Sequence, residues 1–100
     1  MPLYISLMRL KDKALAELED SPARGRVSAE RVARLGGRSL ALYATMGQYD
    51  FVQVFEMPDD ASMMQYIVTA RRDGFVDPVV MPAFDGEQWR DIVGAVLASQ

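Results

Sequence analysis

The 100-residue chain contains no cysteine and no histidine. Those two absences remove disulfides, thiol nucleophiles, Cys/His metal sites and imidazole acid–base catalysis together. No metal site and no cofactor are expected. No apolar run reaches the 18 residues a membrane helix needs. Met1–Ile5 lacks the basic, then apolar, pattern of a secretory leader, so a cytoplasmic protein is expected. There is a single tryptophan, Trp89.

Half of the chain is apolar and a quarter is charged, which suits one globular domain over residues 1–100. The net charge of −3 is unevenly spread. Residues 1–38 hold eight basic and five acidic side chains; residues 39–100 hold three and nine. The basic part is interleaved with acids and carries no aromatic platform, which argues against nucleic acid as a partner.

Leu3–Leu10 reads as a strand. A short helix around Leu15 and Leu18 is expected next. Ser21-Pro22 opens a helix that Gly36-Gly37 should end, with Ser21 as N-cap. Its inward stripe is small: Gly25, Ala29, Val32, Ala33 and Leu35. Strands over 38–46 and 49–56 flank Gly47-Gln48, the signature of a two-residue type II′ hairpin. That turn fixes a register in which paired residue numbers sum to 95. It puts Ser39, Ala41, Tyr43, Thr45, Asp50, Val52, Val54 and Glu56 on one face. Leu40, Leu42, Ala44, Met46, Tyr49, Phe51, Gln53 and Phe55 take the other face.

Asp59 or Asp60 should cap a helix over about 60–72 that ends at Gly74, with Met63 and Met64 filling its core side. Phe75–Phe84 reads as a strand with Pro78 and Pro82. Two prolines four apart fit an edge strand that refuses strand addition. Asp85 and Gln88 stand in capping-box relation ahead of a last helix with the stripe Trp89, Ile92, Val93 and Val96.

The order strand–helix–strand–strand–helix–strand, then a helix, gives an α+β, ferredoxin-like βαββαβ unit with a four-stranded antiparallel sheet. Both helices of such a unit cover one sheet face. The other face, with Ala41, Tyr43, Val52 and Val54 at its middle, is too apolar for water, so a second copy is expected to cover it.

The segment Leu42-Tyr43-Ala44-Thr45-Met46-Gly47-Gln48-Tyr49-Asp50-Phe51-Val52 resembles the signature of the GYD-domain family, through Gly47, Tyr49 and Asp50. Glu56-Met57-Pro58-Asp59-Asp60 is similar to the segment that follows it there. Leu3–Leu7, Ser21-Pro22 and Ala83-Phe84 also fit. The resemblance implies a dimeric α+β barrel and implies little about activity. Lys11–Ala14 and Asp77-Pro78 depart from the family pattern.

Leu3, Ile5 and Leu7 are expected to face the helices. Tyr4 and Ser6 would then share the open face with Tyr43, forming an apolar pocket with few polar groups. Asp50 is the candidate general base, its pKa raised by partial desolvation, with Tyr43 as its catalytic companion. Tyr4, Ser6, Thr45 and Val52 would line the ligand. Arg38 and Glu56 are placed to pair at a sheet end. Three functions stay open. One is a homo-oligomeric barrel that binds a small apolar or aromatic molecule. Another is a cofactor-independent monooxygenase, cyclase or isomerase with Asp50 as base, and the third a purely structural oligomer.

Overall fold

The computed structural model describes residues 1–99. Strand β1 (Leu3–Leu10) is followed by a single helical turn α1 (Asp12–Ala16) and a 3-10 turn (Leu18–Asp20). Helix α2 (Ser21–Arg34), strands β2 (Arg38–Ala44) and β3 (Phe51–Glu56), helix α3 (Asp60–Asp73), strand β4 (Val76–Ala83) and helix α4 (Gly86–Ala98) complete the chain. The strands lie in the antiparallel order β2-β3-β1-β4, the ferredoxin-like order.

The ends of the helices follow their chemistry. The Asp59 carboxylate accepts the Ser62 amide at 2.8 Å, and Gly74 closes α3 at φ +76°. Both reciprocal bonds of the Asp85/Gln88 capping box form at 2.8 Å. Ser21 is not the cap of α2. The 3-10 turn runs directly into the helix, so Ser21 is already helical and Asp20 takes the cap position without a side-chain bond. Gly37 is needed for space: a Cβ there would stand 2.3 Å from the Glu56 carbonyl oxygen.

Between Ala41↔Val54 and Ala44↔Phe51 the hairpin pairs in the expected register, numbers summing to 95. The Thr45 amide continues it to the Asp50 carbonyl at 2.8 Å. The strands themselves stop short, at Ala44 and Phe51, so Tyr49 lies in the loop rather than on a sheet face. The Thr45 hydroxyl donates to the Tyr49 carbonyl at 2.7 Å and steadies that loop, where Gly47 has φ +114°. At the other end Leu40 is an extra residue, and the register slips by one. Ser39 therefore pairs with Phe55 and moves to the helix side, and Arg38 faces Glu56 and pairs with it at 2.8 Å.

The core lies between the sheet and α2/α3. Tyr4, Val32, Phe55, Met57, Met63 and Tyr66 form it. Phe55 stands between Tyr4 and Tyr66 at ring separations of 6.5 and 5.4 Å. Met63 is buried, whereas Met64 is exposed and not part of that core.

The first strand reverses the expected sides. Tyr4, Ser6 and Met8 are buried under the helices, and Leu3, Ile5 and Leu7 point to the open face. β1 and β4 pair along their whole length, and β4 is a sheet edge. Prolines 78 and 82 share that strand, their missing donors on the outer side. Helix α4 stands apart: none of its residues is buried. The molecule is correspondingly long, 55 × 31 × 19 Å.

Candidate functional site: a cavity beneath the helices

The sequence-derived site residues do not converge. Tyr43 and Val52 pair across the open face, and Tyr43 is 63% exposed there. Tyr4 and Ser6 lie on the opposite face, in the core. Thr45 and Asp50 sit at the hairpin end, where both are engaged by backbone. The Asp50 carboxylate accepts the Leu10 amide at 2.8 Å, while its own amide donates to the Met8 carbonyl at 2.9 Å. Asp50 thus ties the end of β1 to the hairpin. The Tyr4 hydroxyl donates to the Asp60 carboxylate. That bond, with burial, pushes its pKa up to about 12 and keeps it protonated.

A cavity of about 690 Å³ opens instead on the helix side. Its floor is Met8, Phe51 and Gln53 of the sheet, and its roof is Gly25 and Ser28 of α2 with Tyr66 and Ala70 of α3. Leu18, Val27 and Leu42 line it and remain exposed, which places the mouth beside them. The cavity is a space for water or a ligand.

Polar groups are few and they are linked. Ser28 Oγ and Tyr66 Oη share a hydrogen bond, and Tyr66 Oη donates to Gln53 Oε1 at 3.4 Å. Gln53 Nε2 donates to Ser39 Oγ at 3.5 Å. The last two bonds are long and weak, so the buried Gln53 amide keeps unused donor and acceptor capacity. Ser6, its cross-strand neighbour, is fully buried and its hydroxyl has no partner. Burial raises the pKa of Tyr66, which stays neutral and able to donate.

The charges at the cavity are already engaged. Arg31 pairs with Asp73. Arg24 donates to the Glu17 and Ala14 carbonyls at 3.1 and 3.3 Å and lies 4.5 Å from the Phe75 ring centre. Lys13 covers the same ring at 4.3 Å and donates to the Asp73 carbonyl at 2.8 Å. The floor carries no ionised group, and the rim is locked by its own contacts.

Gly25 is informative. A helix-interior glycine costs about 1 kcal/mol against alanine. A Cβ here would make only ordinary contact, 3.6 Å from Leu42. Packing within the chain does not demand the glycine; it widens the cavity roof. The sequence places Gly25 on the inward stripe of its helix; the cavity it opens, and the parity of β1, are what the sequence reading missed. A lone glycine inside a helix was the available signal.

The GYD domain matches residues 4–93. The chain belongs to the GYD-domain family. A family relative from Thermus thermophilus, a glutamine synthetase and cystathionine beta-lyase binding protein, is 33% identical over 84 residues. That match covers 83% of this chain and 88% of the relative. The solved structure of TTHA0845, also from Thermus thermophilus, superposes with a TM-score of 0.53 at 18% identity. It spans 86% of this chain and 96% of that one, a likeness of fold. The matched range includes the hairpin loop with Asp50 and the strand residues Phe51 and Gln53 that reach the cavity floor. No described helix is long and apolar enough to cross a membrane.

Proposed function

We propose that this GYD-domain protein binds a small, uncharged, largely apolar or aromatic molecule in the cavity beneath its helices, as a homo-oligomer paired through its open sheet faces. The cavity carries the reading: apolar walls, a volume within the usual range for ligand sites, and one short chain of polar groups on the floor. An anionic ligand group placed against Gln53 and Tyr66 would have to compete with Asp73 for Arg31, the cation nearest Tyr66. A ligand oxygen that accepts from Gln53 Nε2 or the Ser28–Tyr66 pair fits better.

Binding is favoured over catalysis by the engagement of Asp50, whose carboxylate holds β1 and does not line this cavity. The relative named for binding two enzymes also supports an accessory role. The test is equilibrium titration with 2-acetylnaphthalene, naphthalene and 2-naphthoate. The neutral ketone should bind most tightly. Tyr66→Phe should weaken the ketone more than naphthalene, and Gly25→Leu should block both. Equal binding by Gly25→Leu, or preference for the carboxylate, would overturn the reading.

A further inference from the structure

Helix α4 is a fully formed amphipathic helix none of whose residues is buried against the described residues of its own chain. Trp89 is 62% exposed and Leu97 67%, with Ile92, Val93 and Val96 beside them. An isolated helix of 13 residues is marginal in water, and such helices are held by tertiary packing of their apolar stripe. The two residues between β4 and α4, Phe84 and Asp85, end in a complete capping box. The helix is therefore launched from the end of the edge strand in a set direction, away from the body.

We infer that α4 is an arm whose stripe of Trp89, Ile92, Val93 and Val96 seats on a second copy of this chain. The inference rests on the proposed pairing of open sheet faces and extends it. Two observations favour a second copy as occupant. The same chain exposes two apolar surfaces, the stripe and the open face around Tyr43, Val79 and Met81, and covers neither. The prolines of β4 block edge-to-edge pairing at the strand from which α4 departs, so a partner reached by the arm is not met through that edge. The area also suits. The exposed apolar side chains of α4 supply part of the about 800 Å² that each partner gives to a standard interface. The open face supplies the remainder, and twofold symmetry makes each copy both donor and acceptor of an arm.

The sole tryptophan lies in the arm and reports on it. The full chain is followed across a dilution series by sedimentation equilibrium and by Trp89 emission. Emission should be blue-shifted where the mass is that of an oligomer, and move to the water-exposed position as monomer forms. Val96→Asp, on a helix that supports no part of its own body, should leave the monomer's melting intact and weaken self-association at least about tenfold. An oligomer with water-exposed Trp89, or with Val96→Asp assembling as tightly as the parent, overturns the arm and leaves the sheet pairing standing. A monomer at every concentration overturns both. A shift of Trp89 emission that appears only on adding a different protein overturns the second copy as occupant.

Discussion

The two faces of the sheet are built from the same alternating strands and differ in what closes them. On the helix side Phe55 is fully buried between two tyrosines, and polar groups are linked in a chain. On the open side Ile5, Leu7, Val52 and Val54 are only half-covered, and the polar groups stand at the margins, as Arg38 and Glu56 do. One face is a finished core with a cavity left in it; the other is an unfinished core. The contrast teaches that apolarity alone does not tell which side of a strand faces the helices.

Neighbouring residues test the contrast most strongly. Phe55→Ala should cost about 3–5 kcal/mol in denaturant unfolding. Val54→Asp, one residue away on the open face, should leave monomer stability nearly unchanged and abolish self-association by sedimentation. Comparable losses of stability would erase the distinction between the faces. Next in size, Gly37→Ala should destabilise by about 2–3 kcal/mol, because its Cβ meets the immovable Glu56 carbonyl.

Tyr4→Phe should cost about 1 kcal/mol at neutral pH, through the lost bond to Asp60. Its larger signature is in alkali. The folded pKa of about 12 lies above the ordinary 10, so the unfolded chain loses this proton first. The stabilisation is complete below pH 10 and is lost as pH rises toward 12. Tyr4→Phe should remove that part of the decline in an alkaline unfolding series. The smallest effect has the opposite sign. Gly25→Ala should stabilise by about 0.5–1 kcal/mol in thermal unfolding, since the helix gains and the cavity roof has room.

Much of this was legible in the sequence. Gly47 set the hairpin register, Asp59, Gly74 and Asp85 set the helix ends, and the two prolines marked β4 as an edge. The parity of β1 was not legible. Leu3, Ile5 and Leu7 are its most apolar set, yet they serve the open face, while Tyr4 and Ser6 go inside. Alternation identifies two faces but does not say which is covered by the chain itself. Misplacing Tyr4 and Ser6 then misplaced the site. Asp50 looked like a base because the register gave it polar and aromatic neighbours; its bond to the Leu10 amide depends on β1, which the hairpin does not see. The cavity was illegible for a different reason: it is a volume left between elements, and pattern rules describe only the elements.

Leu40 inverts the phase of its strand. From Ala41 onward odd-numbered residues of β2 look to the open side; before it, the even-numbered Arg38 does. A substitution survey that scored β2 on a single odd–even rule would find its two ends disagreeing. Deleting Leu40 should bring them into step while leaving Ser39 opposite Phe55 and Arg38 opposite Glu56.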